Sequence, residues 1–279
     1  MTTPHFTDLA AHIEASNRHP RTKRNFRMQY RLARHTLIPW LQQLGCLNKQ
    51  SAVCEIGCGE GGVIAAFAEY GVPDAMGTDV VGPLLDQVTR PLLTELGLAV
   101  ELTTHNVITD SIPDEWKNRF HVVVLRDVIE HLTDQPAAMM AIQRIMKPGG
   151  VLLVTFPPYV SAFGGHQQLL QTPLGYIPFV HLLPLRVFEH IIKKGDPVNQ
   201  DEVRMLAGIR ASSNGVQQAA HQAGMQLISE RYFGLRPVFK WKYNKPIPTL
   251  ELTKLKWLAP VRSLSMEAAL VFKLMNHGN

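Results

Sequence analysis

Apolar residues in the first 156 positions alternate between short strand-like runs and stretches with helical spacing. The strand-like runs predict five strands of a buried sheet, at 51–56, 75–79, 100–103, 120–125 and 151–156. Helical spacing predicts the intervening helices, at 63–70, 83–96 and 135–146. Strands that alternate with helices form parallel sheets through right-handed crossovers. The pattern therefore predicts an α/β, Rossmann-like, doubly wound fold.

The flanking regions add to this alternation. Residues 26–44 carry apolar side chains on one helical face, so we expect an N-terminal helix that packs on the sheet and bends at Pro39. Residues 157–211 are rich in proline, glycine and bulky apolar residues, which indicates an insertion after strand 5. A helix at 213–223 and strands at 225–232 and 267–274 would complete a mostly parallel, seven-stranded sheet.

Composition supports a globular protein. The 279 residues are 46% hydrophobic and 18% charged, which is enough to bury a full core. The three cysteines, Cys46, Cys54 and Cys58, are an odd number in one short region, as expected in a reducing compartment. No second ligand pair follows Cys54 and Cys58 at zinc spacing, so we expect no metal. Without a signal-peptide pattern or an apolar run of membrane-spanning length, we expect a soluble, cytoplasmic protein.

Positive charge is concentrated in two segments. Residues 15–54 hold eight lysines and arginines and no acid, and residues 231–256 hold seven basic residues and one acid, Glu251. Such segments could attract an anionic substrate, a membrane surface or nucleic acid, or could simply be solvated faces. The second segment interleaves aromatic and basic residues, a pattern that could also serve RNA stacking.

A glycine turn follows the first predicted strand. Its sequence, Gly57-Cys58-Gly59-Glu60-Gly61-Gly62, lets the backbone reverse and approach a ligand closely. Asp79 ends the second predicted strand about 20 residues later, where a carboxylate could bind ribose hydroxyls. The turn also satisfies the G-x-G-x-x-G pattern of dinucleotide sites, so a nicotinamide cofactor stays open at this point.

Four motifs in order resemble the class I S-adenosylmethionine methyltransferases, especially the ubiquinone and menaquinone biosynthesis branch. They are Glu55-Ile-Gly-Cys-Gly-Glu-Gly, Gly77-Thr-Asp79-Val, Arg126-Asp-Val-Ile-Glu-His-Leu132 and Met146-Lys-Pro-Gly-Gly-Val-Leu152. The resemblance covers residues 50–156. It implies four segments: an N-terminal helical segment (1–45), an S-adenosylmethionine-binding core (46–156), a lid over the substrate site (157–211), and a segment that completes the sheet and carries the basic aromatic loop (212–279).

The resemblance also implies where S-adenosylmethionine would bind. The glycine turn would hold the amino-acid end of the cofactor, Asp79 the ribose, and the residues after strand 4 the methionine moiety. The positions it assigns to the cofactor are Glu55, Gly57, Cys58, Gly59, Gly61, Asp79, Val80, Asn106, Val107, Arg126 and Asp127. Asn106 stands where the family usually has Asp, although its amide oxygen can still accept a hydrogen bond. Tyr30 and Arg34, one helical turn apart, could close over the cofactor's carboxylate, or could serve core packing and surface charge.

Two histidines are candidates for a general base, which helps when the acceptor is a hydroxyl. His131 follows strand 4, and His166 lies on the loop that leaves strand 5, where an acceptor would enter. Tyr159 and Phe163, near His166, could stack against an apolar acceptor. The alternatives are that the histidines are ordinary polar residues and that the aromatic residues form the insertion's own core.

The leading hypothesis is an S-adenosylmethionine-dependent methyltransferase that acts on a small, apolar or amphipathic acceptor, with oxygen as the favoured atom. A nicotinamide-dependent oxidoreductase, a non-catalytic cofactor-fold binding protein and an RNA methyltransferase are the alternatives. A nucleic-acid substrate is a minor alternative, because strand 4 is not followed by an Asn-Pro-Pro-Tyr-type segment, the arrangement that resembles base-directed enzymes. The apolar stretch 179–192 could line a pocket, contact a membrane peripherally or form a dimer, so monomer and homodimer both stay open.

Overall fold

The computed structural model describes residues 8–275 and contains a single eight-stranded sheet at its centre. The strands are β1 (Ala52–Ile56), β2 (Asp74–Asp79), β3 (Glu101–Thr104), β4 (Phe120–Arg126), β5 (Met146–Phe156), β6 (Met225–Leu235), β7 (Leu250–Glu251) and β8 (Glu267–Leu274). Their order is β3-β2-β1-β4-β5-β8-β6-β7. The first five strands are parallel, and β8, β6 and β7 join antiparallel. The strand order reverses beside β1, so the carboxyl ends of β1 and β4 flank a crevice.

The number of strands differs from the prediction of seven. The additional strand, β7, is only two residues long and pairs with β6 through Phe233 and Leu235. Both β7 residues are exposed, so no buried pattern marks them in the sequence. β5 also starts earlier than predicted, because Met146 already pairs with Phe120 of β4, and regular pairing resumes at Val151 after a bulge.

Helices cover both faces of the sheet. They are α1 (Leu9–Ala15), α2 (Pro20–Leu32, Ala33–Leu37 and Ile38–Gln43 in one run), α3 (Gly62–Tyr70), α4 (Gly82–Leu84, Leu85–Thr89 and Arg90–Glu95 in one run), α5 (Gln135–Ile145), α6 (Leu185–Lys193), α7 (Gln200–Ile209), α8 (Ser213–Gln222), α9 (Phe239–Lys242) and α10 (Ala259–Leu264). Successive strand residues enter opposite cores: Val53 packs with α1–α4, whereas Cys54 packs with α5 and α8.

Two π-helical stretches precede prolines inside long helices. Ala33–Leu37 lies before Pro39, and Leu85–Thr89 lies before Pro91. Proline has no N–H to donate to the carbonyl four residues earlier, and a wider turn accommodates its ring. The expected irregularity at Pro39 is therefore a π-helical turn within a continuous helix.

The insertion 157–211 contains α6 and α7 linked by 3-10 turns. It has a small core of its own, made of Leu170, Val180, Phe188, Ile191, Ile192 and Val203. Short 3-10 turns lie at Asp114–Trp116, Ile129–His131, Gln167–Leu170, Leu174–Tyr176, Val180–Leu182, Pro197–Asn199 and Thr253–Leu255. Within residues 8–275, no helix has the length and apolar character that a membrane span requires.

Candidate active site

The glycine turn after β1 is held against the end of β2. The N–H groups of Gly57 and Cys58 both donate to the carbonyl of Thr78, at 2.7 and 2.9 Å. Gly57 has a φ of +73°, and a Cβ there would lie 2.4 Å from a methyl of Val128. Only glycine fits at this position, because both the backbone angle and the space exclude a side chain.

Asp79 lies beside this turn, as the sequence predicts. One carboxylate oxygen accepts the N–H of Gly59 at 2.9 Å, and the other accepts the N–H of Val81 at 3.0 Å. A Cβ added at Gly59 would meet nothing within 4 Å, so the turn opens onto free space here. The neighbouring Val80 is 62% exposed. The turn, the carboxylate and an exposed apolar side chain thus share one edge of the sheet.

A cavity of about 180 Å³ lies between the glycine turn and the end of β4. Six of the predicted cofactor residues line it, four from β1 and the glycine turn together with Arg126 and Asp127, and sequence reasoning missed Asn25, Gln29 and Glu60 in its wall. The side chain of Asn25 donates to Glu60 at 2.8 Å across the rim. The full lining is Asn25, Gln29, Glu55, Gly57, Cys58, Gly59, Glu60, Gly62, Arg126 and Asp127.

Glu55 is buried at the floor of this cavity. Its carboxyl accepts the N–H of Ile64, in the first turn of α3, at 2.8 Å. Burial raises the pKa of Glu55 well above its ordinary value, and this hydrogen bond opposes the shift only in part. The Glu55 side chain therefore links β1 to the first turn of α3.

A cluster of buried charges closes the cavity at the end of β4. Arg236 donates to both carboxylate oxygens of Asp127, at 2.6 and 2.8 Å, and to Glu267 at 2.7 Å. Arg126 pairs with Asp127 as well. Burial alone would raise the pKa of Asp127, but the charges of Arg126 and Arg236 outweigh it and lower the pKa to about 2. Arg236 and Glu267 have no counterpart in the sequence prediction.

Arg126 lines the cavity and is buried. Its Nε has no hydrogen-bond acceptor among residues 8–275, and its Nη2 lies 3.4 Å from Glu267 in an ion pair without a hydrogen bond. A buried guanidinium N–H without an acceptor is suited to a carboxylate. The cavity wall therefore fits the amino-acid end of S-adenosylmethionine, and the open turn beside Asp79 fits its ribose.

Tyr30 and Arg34 do not line this cavity. Tyr30 is fully buried, and its hydroxyl donates to Glu69 at 2.6 Å, while Arg34 contacts both residues. Burial, followed by the hydrogen bond to Glu69, raises the pKa of the Tyr30 hydroxyl. The structure thus gives these two residues the packing role that the sequence left as the alternative. Asn25 and Gln29, on the neighbouring face of α2, line the cavity instead.

The predicted adenine contacts follow β3. Asn106 uses its side-chain oxygen to accept the N–H of Ile108 at 3.0 Å, so the amide oxygen is already engaged within its own loop. Val107 is buried in the core on the α5 side of the sheet. The adenine contact of these two residues therefore stays a prediction.

A second, larger cavity lies between the insertion and the basic aromatic segment. Its volume is about 350 Å³, and its walls are mainly apolar and aromatic. Phe163 and His166 line it as predicted, whereas Tyr159 does not: it is buried, with its ring 5.0 Å from that of His181. The lining is Pro157, Ser161, Phe163, His166, Gln168, Tyr176, Leu235, Arg236, Phe239, Lys242, Tyr243 and Met266.

The two candidate bases lie together beside this second cavity. The ring centroids of His131 and His166 are 5.3 Å apart, and only His166 lines the cavity. Each Nδ1 lies close to a carboxylate oxygen of Glu202, at 3.9 Å for His131 and 3.8 Å for His166. Burial, and then the charge of His166, lowers the pKa of His131. The two nearby histidines, His166 foremost, lower the pKa of Glu202.

Glu130 adds a buried carboxyl next to the histidines. It is 2% exposed, and neither oxygen has a hydrogen-bond partner in residues 8–275. Burial raises its pKa well above the ordinary value, and the charge of Asp127 adds to the shift. One ligand atom from each of Glu130, His131 and His166 lies within 4.8 Å of the others, a spacing that could hold a divalent cation. The expectation of no metal therefore stays untested.

The family follows from a comparison with known domains. The model of a family described as a methyltransferase domain matches residues 27–191, which is more than half of the chain. The chain belongs to this methyltransferase family. Membership and fold together imply S-adenosylmethionine as the cofactor.

Curated relatives of this methyltransferase match in part of their length. The ubiquinone biosynthesis O-methyltransferases of Alkalilimnicola ehrlichii and of Pseudomonas aeruginosa strain UCBPP-PA14 are 31% identical over 124 residues and 30% identical over 140 residues. These matches cover 43% and 48% of this chain, and 49% and 58% of the relatives. The chain thus spans about half the length of these relatives.

Solved structures share the fold. An S-adenosylmethionine-dependent methyltransferase from Mesorhizobium loti aligns with a TM-score of 0.52 at 12% identity, over 84% of this chain and 96% of that one. The cyclase SpnF aligns with a TM-score of 0.54 at 14% identity, over 86% of this chain and 80% of the other. At such low identities these likenesses show the fold alone, and SpnF is named for a different reaction, a [4+2] cyclisation.

Proposed function

We propose that this protein transfers a methyl group from S-adenosylmethionine to an oxygen atom of a small, apolar or amphipathic acceptor. One observation carries the proposal: a single ion pair separates two cavities of different character. Asp127 lines the polar cavity beside the glycine turn, and Arg236, its partner, lines the apolar cavity under the insertion. Adjacent polar and apolar cavities suit a charged cofactor and an apolar acceptor that must meet.

The cofactor supplies a methyl group on a sulfonium, which is already a strong electrophile. The chain then has to orient the acceptor oxygen and exclude water, and the aromatic walls around Phe163 and Phe239 suit both tasks. His166 is the candidate to accept the acceptor's proton, because it is the histidine that lines the apolar cavity. The carboxylate of Glu202 lies near Nδ1 of His166, and the ring of His131 packs next to the ring of His166.

The preference for oxygen comes from the relatives. Those named ubiquinone biosynthesis O-methyltransferase match this chain over 43% and 48% of its length. An aromatic hydroxyl also suits a pocket with aromatic walls and a histidine. Family membership leaves the nicotinamide-dependent alternative without support.

The test is a transfer assay with methyl-labelled S-adenosylmethionine and a panel of catechols, phenols and amines with apolar substituents. The proposal expects label to appear on a hydroxyl of an apolar acceptor. A Phe163→Ala variant should raise KM for that acceptor, and a matched Phe179→Ala variant, at an exposed ring outside the cavity lining, should not. Labelling confined to amines would contradict O-methylation, and no labelling across the panel would contradict an apolar hydroxyl acceptor.

We also propose that the insertion contacts a membrane surface peripherally. Apolar side chains are exposed in a row along it, including Tyr176, Ile177, Leu183, Leu185 (72% exposed) and Val187. Exposed cations follow on α6, at Arg186, Lys193 and Lys194. Apolar residues flanked by cations are complementary to an anionic lipid surface. Tyr176 also lines the apolar cavity, so this face would deliver an apolar acceptor directly.

A further inference from the structure

The apolar cavity contains cationic side chains and no acidic one. Among its twelve lining residues, Arg236 and Lys242 are the cations, and neither Asp nor Glu contributes to the wall. Both come from the stretch between β6 and the end of α9. What this cavity can bind therefore depends on which negative charges balance these two cations.

The charge of Arg236 is balanced inside the protein. Its guanidinium bonds to the carboxylates of Asp127 and Glu267, which lie outside the lining of the apolar cavity. The Arg126 guanidinium shares the same two carboxylates, at Asp127 and, at 3.4 Å, at Glu267. Two arginines thus balance two acids, and neither of these carboxylates forms an ion pair with Lys242.

Lys242 has no such partner. Its ammonium forms no ion pair with any acid of residues 8–275, and it contacts the ring of Tyr243, whose centroid lies 5.7 Å away. The residue is half-buried on α9. Burial and the nearby charge of Arg236 lower the pKa of Lys242, and the charge of Asp127 opposes this shift only in part. A cation that is partly desolvated among other cations is stabilised by an anion that binds beside it.

We infer that the apolar cavity binds an amphipathic anion, with Lys242 holding its acid group and the aromatic walls holding its body. The acid group is a carboxylate, sulfonate or similar oxyanion, and the body is an apolar or aromatic frame that packs against Phe163 and Phe239. Lys242 is then a specificity residue of the acceptor site. This inference rests on the proposed function only in naming the bound anion as the methyl acceptor.

Binding is tested with two dyes that share one aromatic frame. 1-Anilinonaphthalene-8-sulfonate carries a sulfonate, and N-phenyl-1-naphthylamine lacks it. The Lys242→Gln variant should weaken sulfonate binding about tenfold, the size expected for a charge-assisted contact. It should change the affinity for the neutral dye less than about twofold. Lys245→Gln, at an exposed lysine of the same segment, is the matched control and should change neither affinity.

An unchanged sulfonate affinity in Lys242→Gln would overturn the inference, and so would equal weakening of both dyes. A thermal melt of each variant checks that the comparison is between folded proteins. Calorimetry with S-adenosylhomocysteine is run on the same samples. If the dyes behave as expected and S-adenosylhomocysteine does not bind, the anion site stands and the proposed function fails. If S-adenosylhomocysteine binds and Lys242→Gln leaves the sulfonate affinity unchanged, the anion site fails and the proposed function stands.

The kinetic form of the test uses one active acceptor as its acid and as its amide. Wild type should have a KM for the acid about tenfold lower than that for the amide, and Lys242→Gln should remove the difference. A KM difference that survives in Lys242→Gln would place the acid group elsewhere.

Discussion

Arg236 and Asp127 lie 109 residues apart in the chain and form an ion pair in which one nitrogen of the arginine, Nη2, lies 2.6 and 2.8 Å from the two carboxylate oxygens. Asp127 holds this position with a left-handed backbone, at φ +54°. Residues other than glycine adopt this conformation at a cost that the surrounding structure must offset. The pair therefore fixes the partition between the two cavities.

Removal of Arg236 should destabilise the fold. Arg236→Met leaves the buried Glu267 and Asp127 with Arg126 alone, and loss of one partner of a buried pair costs about 3 kcal/mol. Denaturant unfolding measures the loss. The matched control is Asp201→Asn, which breaks an exposed ion pair with Arg204 and should cost less than about 1 kcal/mol. Equal losses in the two variants would show that the partition is not held by this pair.

Glu130 should make the fold less stable as the pH rises. Its pKa in the folded state is raised above the ordinary 4.5, so an unfolded chain releases this proton at a lower pH than the native protein does. Above pH 4.5 the free energy of unfolding therefore falls with pH until the folded-state pKa is passed. Glu130→Gln, which does not titrate, should melt at a higher temperature than wild type at pH 8.

The difference between Glu130→Gln and wild type should vanish as the pH approaches 4.5. Glu115→Gln, at an exposed glutamate, serves as the control and should follow wild type at every pH. A Glu130→Gln variant that melts below wild type at pH 8 would mean that the native carboxylate is ionised and bound to a partner.

His166 should matter for turnover more than His131. His166→Asn, which tolerates the left-handed backbone at φ +50°, should lower kcat about 100-fold if the imidazole accepts the acceptor's proton. His131→Asn should lower it less, because that ring does not line the cavity. His190→Asn, on the exposed side of α6, should have no effect. An unchanged kcat in His166→Asn, with cofactor binding intact, would contradict the role of His166 as the base. The rate would then come from alignment of the acceptor with the methyl group.

Membrane contact should depend on the exposed apolar row of the insertion. Wild type should sediment with vesicles of phosphatidylglycerol and phosphatidylcholine, and salt should weaken this binding because lipid charge contributes to it. The Leu185→Glu and Val187→Glu double variant should lose it. Leu250→Glu, at an exposed position on β7, should retain it. Vesicle binding that the double variant retains would place the contact on another surface.

The sequence predicted that the glycine turn and Asp79 lie together, because both are close in the chain. Gly59 and Asp79 are 20 residues apart, at the ends of neighbouring strands of a parallel sheet whose carboxyl ends must meet. The hydrophobic pattern placed seven of the eight strands for the same reason: each is a continuous segment with its own buried face. β7 was missed because two exposed residues carry no pattern.

The remaining errors have geometric causes. Tyr30 and Arg34 share one helical face, but the cavity lies on the face of Asn25 and Gln29, one position earlier in helical phase. An apolar pattern locates the buried stripe of α2 and does not show which polar neighbours flank a ligand. Arg236 and Lys242 lie far along the chain from Asp127, so their place in the site follows from the antiparallel return of β6 and not from any local motif.

Calorimetric titration with S-adenosylhomocysteine tests the central claim most directly. Wild type and Asp86→Asn, at an exposed acid on α4, should bind it alike, and Asp79→Asn should bind at least about tenfold more weakly because the ribose loses a charged acceptor. NAD should give no heat with any of them. Failure of wild type to bind S-adenosylhomocysteine, or equal binding by Asp79→Asn, would contradict the account.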